Sequence, residues 1–157
     1  MKTAKICLLL FLTCSVSFLS AQEVIKSRSC NDTSIQRQAD SLRKLYALDG
    51  FKVLKEASMA MESEFEMPVI VPLQEHVSYQ IVFIGEMTSK LYEVRMYDYD
   101  EKMVSYQKKQ WGDVDGNVIS FIYTPKFSEL HMIKPVQVNK KKKKGLCGYV
   151  MLFVKTR

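Results

Sequence analysis

His76 and His131 are the only two histidines among the 157 residues. Nucleophilic or general-base chemistry near neutral pH therefore has to run through one of them or through a carboxylate. His76 lies in Leu73-Gln74-Glu75-His76-Val77-Ser78, a turn-like stretch, and His131 in an alternating apolar one. The sequence contains no Gly-x-Ser-x-Gly, no His-Glu-x-x-His and no phosphate-cradling glycine run. Its six glycines, one of them in a turn at Gly116, do not build a nucleotide loop. The expectation is a chain that is not an enzyme and that carries no cofactor.

Carboxylates cluster twice. Glu62, Glu64 and Glu66 recur at period two, so on a strand they share one side, as on a solvated sheet face. Asp98, Asp100 and Glu101, with Asp113 and Asp115, could bring oxygen ligands to calcium, a hard cation that takes about six to eight of them. An EF-hand would need glycine where Val118 stands and glutamate where Thr124 stands, and turn chemistry accounts for Asp115-Gly116 more simply. Asp98, Asp100, Asp113 and Asp115 are thus the metal candidates. The alternative function they imply is a calcium-dependent small hydrolase or inhibitor-like protein.

The sharpest charge feature is the run Lys140, Lys141, Lys142, Lys143 and Lys144. It suits an anionic polysaccharide, a lipid headgroup surface or nucleic acid, and equally a loop kept soluble by repulsion. Nucleic acid is the weakest of these, because the run lacks interleaved aromatics that stack on single strands and because the chain reads as exported. Lys108 and Lys109 beside Trp111 could present cations and a ring together, making Trp111 a stacking candidate; a cap on the end of a β core is its structural alternative.

Export is read from residues 1–21. Lys2 and Lys5 form a basic start, residues 6–18 are mostly apolar, and Leu19-Ser20-Ala21 offers a small residue at the cut. That run is shorter than the roughly 20 residues of a membrane span, so a periplasmic or extracellular protein without a span is expected. Cys7 and Cys14 leave with it. Cys30 and Cys147 remain as a disulfide candidate; otherwise Cys147 is a small buried hydrophobe and Cys30 a free thiol, and geometry decides between them. The formal charge is +6, and residues 134–157 hold eight basic residues and no acid.

Residues 22–33 are polar and without period, so they read as a flexible leader. Asn31, Asp32, Thr33 and Ser34 crowd an N-cap, after which Ile35, Ala39, Leu42, Leu45 and Tyr46 recur at spacings of three and four up to Gly50. One short amphipathic helix over 34–49 is expected, packed on the sandwich formed by the rest of the chain. From Gly50 the period alternates. Strands are expected over 51–57 and 59–65 (or one irregular strand), 67–73 as an edge because of Pro68 and Pro72, 79–84, 91–97, 118–123, 130–138 and 146–154. The last is apolar on both faces and should be central. Residues 51–157 therefore read as one mainly β domain: an antiparallel β-sandwich, jelly-roll-like, of about seven to eight strands.

The order Tyr79-Gln80-Ile81-Val82-Phe83-Ile84-Gly85, then Leu91-Tyr92-Glu93-Val94-Arg95-Met96-Tyr97-Asp98, then Ile119-Ser120-Phe121-Ile122-Tyr123-Thr124-Pro125 resembles the jelly-roll modules called bacterial pre-peptidase C-terminal domains. The resemblance implies an accessory domain without catalysis. Leu19-Ser20-Ala21-Gln22 resembles signal junctions of Bacteroidetes-type bacteria. The expected function is that of a secreted non-catalytic module that binds or packs against an envelope or extracellular protein or an anionic glycan, through the basic loop.

Overall fold

The computed structural model describes residues 25–28, 30–110, 112–113 and 116–156. Helix α1 (Thr33–Leu48) starts where Asp32, in an extended conformation, accepts hydrogen bonds from the N–H groups of Ser34 (2.8 Å) and Ile35 (3.1 Å). It stops at Asp49, and Gly50 comes next with φ of 78°, a left-handed value that glycine takes without a Cβ penalty. The buried residues Ile35 and Ala39 lie one turn apart, with Leu42 and Tyr46 completing the packed face.

Eight strands come after the helix: β2 (Phe51–Met61), β3 (Val69–Leu73), β4 (Tyr79–Gly85), β5 (Leu91–Tyr97), β6 (Met103–Gln110), β7 (Val118–Tyr123), β8 (Glu129–Val138) and β9 (Leu146–Lys155). They form two antiparallel sheets, β2-β9-β4-β7 and β3-β8-β5-β6. That order, in which successive strands change layer except at the β5–β6 hairpin, is the jelly-roll arrangement of two interlocked Greek keys. The expected β-sandwich preceded by a helix is what the chain forms. Among the described residues, no helix is long and apolar enough to cross a membrane.

Three details depart from the sequence reading. A four-residue strand, β1 (Ile25–Arg28), occupies part of the expected leader and pairs in parallel with Lys55–Ser58 at the edge of the first sheet. Residues 51–61 are one strand with a register irregularity between Val53 and Lys55, and the chain beyond Met61 is a turn with Glu64 at φ of 76°. β6 has no counterpart among the expected strands. It is an edge strand without a buried residue, so its sequence carries no apolar stripe.

β9 lies between β2 and β4. Its Leu146, Val150 and Leu152 face the second sheet in a core shared with Ile81, Phe83, Tyr92, Val94, Met96, Val71 and Ile133. Its Met151 and Phe153 face the other way, into a smaller core with Ile35, Ala39, Phe51, Val82 and Ile84 under α1. α1 and the second sheet thus cover both faces of β9. Arg43 fastens the helix, its guanidinium reaching the buried carboxylate of Glu56 and, at 3.1 Å, the hydroxyl of Tyr149.

Cys30, just before α1, is joined to Cys147 at the start of β9 by a disulfide, with Cα atoms 5.7 Å apart and 117 positions between them in sequence. In the chain-entropy view, a loop of that length stabilises the fold by at most about 4–5 kcal/mol. A Cys30→Ser/Cys147→Ser variant should lose up to that amount in urea unfolding, and an unchanged midpoint would show that the bridge does not constrain the unfolded chain.

At the same end, Gly85 and Gly148 are cross-strand partners on β4 and β9. A Cβ on Gly85 would sit 2.5 Å from the Tyr92 ring, and one on Gly148 2.5 Å from the Met61 sulfur. Tyr92 cannot swing aside, because its hydroxyl donates to the carbonyls of Glu86 (2.8 Å) and Ser89 (3.0 Å); Met61 is an unbranched, adaptable side chain. Gly85→Ala should therefore destabilise by about 2–3 kcal/mol and Gly148→Ala by about 1–2 kcal/mol. Denaturant midpoints check the order, which a rigid Met61 would reverse.

Candidate functional site

The sandwich presents two chemically different ends. At one, the connection between β8 and β9 carries the lysine run, and it is a built loop. Asn139 is buried; its Oδ1 accepts from the N–H groups of Lys141 and Lys142, both at 3.0 Å, and its Nδ2 donates to Thr88 Oγ1 at 2.9 Å. The N–H of Asn139 donates to Ser63 Oγ (2.9 Å), and that of Ser63 donates to the Lys143 carbonyl (2.8 Å). These bonds tie the loop to the β2–β3 connection.

Lys142 pairs with Glu86 at 2.9 Å, Lys143 with Glu64 at 3.5 Å and Lys144 with Glu62 at 3.4 Å. Glu62, Glu64 and Glu66 are therefore not a row on a strand face. They leave β2 in a turn, where two of them meet the lysines, while Glu66 accepts from Arg95 (2.8 Å) and lies 3.3 Å from Lys134. Lys140 and Lys141 are exposed and make no ion pair among the described residues. Of the five ammonium groups, these two remain for a partner.

Glu86 is the hub beneath the loop. Its carboxylate accepts from Lys142 Nζ, from the Cys147 N–H at 3.0 Å and from the Thr88 hydroxyl at 2.9 Å. Burial by itself pushes the carboxyl up, but those three donors outweigh it and hold the group below its ordinary value. Under it, the fully buried Gln137 accepts from the Glu86 N–H (2.9 Å) and Ser89 Oγ (3.0 Å) and donates to the Cys147 carbonyl (3.0 Å). Burial, with the nearby Glu86 charge, lifts the Tyr92 hydroxyl to about 12, so it stays a neutral donor in the same network.

The other sequence candidates are dispersed. Asp98 accepts from the Lys102 N–H at 2.8 Å in the β5–β6 turn, and Asp100 is exposed in that turn; Asp113 accepts from the Gln110 N–H at 2.7 Å past the far end of β6. The eight residues of β6 span about 25 Å, so Asp98 and Asp100 share no calcium with Asp113. Trp111 and Asp115 lie outside the described residues. His76 is 80% exposed in a turn beside Glu75, whereas His131 is wholly buried, its Nε2 3.2 Å from the Tyr123 hydroxyl and its Nδ1 3.3 Å from the Glu129 carbonyl. The two histidines do not share a site.

At the opposite end from the lysines, a cleft of about 600 Å³ opens between the sheets. Leu54, Val71, Leu73, Tyr79, Leu152 and Val154 line it, and Lys55, Gln74, Ser128, Glu129 and Leu130 rim it. It lies beside the register irregularity of β2, and Val71, Leu73, Tyr79 and Leu152 form its buried floor. Sequence reading missed it, because its inner wall consists of ordinary inward positions from four strands, β2, β3, β4 and β9.

The depressed Glu86 value has a signed consequence. A carboxyl whose folded-state pKa lies below its ordinary 4.5 contributes stability above that value and loses it as pH falls through the lower one. Wild-type protein should therefore lose more melting temperature than Glu86→Gln between about pH 5 and about pH 3. Parallel curves would remove Glu86 as the acid-sensitive latch.

No family model matches the chain, and no curated protein matches it. Among solved structures, it is similar to the disulfide-linked pili of Bacillus endospore appendages, at 6% identity and a TM-score of 0.38 over 68% of this chain and 89% of that one. It is also similar to a chain of the subviral particle of infectious bursal disease virus, at 8% identity and a TM-score of 0.37 over 67% of this chain and 32% of that one, about a third of the viral chain's length. A third likeness is to a Glycosylation Associate Protein complex from Streptococcus agalactiae, at 16% identity and a TM-score of 0.32 over 69% of this chain and 40% of that one. None of these three is a pre-peptidase C-terminal module.

Proposed function

We propose that the chain is an exported, non-catalytic β-sandwich that docks on an anionic envelope or extracellular component, a glycan or a protein, through Lys140 and Lys141. The observation that carries this reading is the division of labour within the lysine run. Three ammonium groups pair with carboxylates of the same chain, Lys142 with Glu86 and, at the exposed surface, Lys143 with Glu64 and Lys144 with Glu62, while Lys140 and Lys141 stay exposed beside the turn that Asn139 anchors. A run kept only for solubility has no need of an anchored backbone. The non-catalytic part of the reading is supported by the two histidines, one solvated in a turn and one sealed in the core by Tyr123 and Glu129. The Cys30–Cys147 bridge supports an oxidising compartment and agrees with the export signal.

A fixed pair of cations on an anionic surface is worth about 1 kcal/mol each, so removing both should weaken retention about thirtyfold at low salt. The experiment compares Lys140→Gln/Lys141→Gln with Lys143→Gln/Lys144→Gln by co-sedimentation with envelope fractions and with an anionic polysaccharide. The first pair should lose binding and flatten its salt dependence. The second should chiefly lower melting temperature. Retention unchanged in the first pair would take the contact away from this loop.

A further inference from the structure

We propose that the cleft at the other end of the sandwich binds a long-chain carboxylate, with the alkyl tail between the sheets and the head group on Lys55. This site is separate from the lysine loop and does not rest on it. Its volume of about 600 Å³ lies in the range of small-molecule pockets, and its inner wall is aliphatic with one ring, Tyr79. The Tyr79 hydroxyl accepts from the Gln74 N–H at 2.9 Å, and the ring adds to the apolar wall. Each methylene placed there gains about 0.8 kcal/mol over water.

Lys55 supplies the charge complementarity. Its side chain crosses from β2 to β3, and its ammonium donates to the Ile70 carbonyl at 2.8 Å. That acceptor is neutral, and among the described residues no carboxylate pairs with this ammonium. A carboxylate makes the stronger, charge-assisted bond and draws Lys55 onto itself. Glu129, the acid of the rim, lies 3.7 Å from His131 Nε2 and disfavours a second negative charge on the ligand. A peptide strand fits less well. The outward edge of β3 has its Ile70 carbonyl occupied by Lys55 and lacks an N–H at Pro72, so it offers no ladder for an added strand.

The test titrates the full protein with dodecanoate, dodecanol and dodecyltrimethylammonium by calorimetry. Dodecanoate should bind saturably with a negative heat-capacity change, and the ammonium amphiphile should bind least. Lys55→Gln should weaken dodecanoate about tenfold and leave dodecanol unchanged, the expected loss for one charge-assisted bond. Leu130→Glu, at a 47% exposed rim position where folding is not at stake, should abolish dodecanoate binding. Lys140→Gln/Lys141→Gln should bind dodecanoate as wild type does, which keeps this proposal separable from the basic-loop reading. No saturable heat, equal affinity for the anionic and cationic amphiphiles, or undiminished binding in Leu130→Glu would overturn it. A dimer at high concentration that competes with dodecanoate would give the cleft to a second copy and overturn it as well.

Discussion

A strand that is apolar on both faces cannot rest on a sheet with one wet side, and β9 sets that demand for the whole molecule. Leu146, Val150 and Leu152 need the second sheet, while Met151 and Phe153 need something else. Among the described residues α1 supplies it, through the buried Ile35 and Ala39. The helix is thus a third layer over the middle of the β2-β9-β4-β7 sheet. Arg43, on a neighbouring face of the helix, ties it down through the buried Glu56 carboxylate and the Tyr149 hydroxyl.

The two ends of the sandwich solve closure differently. Toward the lysines, the core is finished by polar groups that satisfy one another: Gln137, Ser89, Tyr92, Asn139, Ser63 and Glu86 form one connected set with the loop folded over it. Such a set has low tolerance for slack, since each buried donor left alone costs about 1–3 kcal/mol. Gly85 and Gly148 serve it by letting Tyr92 and Met61 come close to the sheet. At the opposite end polar groups pair in small local sets, Tyr123 with His131 and Gln74 with Tyr79, beside an aliphatic cleft that Lys55 edges. The two ends of one fold therefore differ in chemistry, one closed by polar groups and the other by aliphatic side chains.

The strands with an inward stripe were legible from their residues. Tyr92, Val94 and Met96 on β5, the continuous apolar run of β4 and the doubled face of β9 stand where alternation puts them, and Pro68 and Pro72 do mark an edge. The elements that stayed hidden had no stripe to show. β6 buries nothing fully, and β1, Ile-Lys-Ser-Arg, is held by pairing with β2. The acids at 62, 64 and 66 imitate a strand because period two says nothing about whether a pairing partner continues beyond Met61. That those acids and the lysines some 80 positions later neutralise each other is a product of topology. So is the cleft, its inner wall assembled from four strands whose residues individually look like core.

The bond between Cys30 and Cys147 closes a covalent ring around α1 and every strand from β2 to β8. A proteolytic nick inside that ring, the five-lysine tract included, leaves two polypeptides still joined through sulfur and still zipped by backbone pairing. The tract richest in sites for a lysine-directed protease therefore sits where a cut releases no fragment.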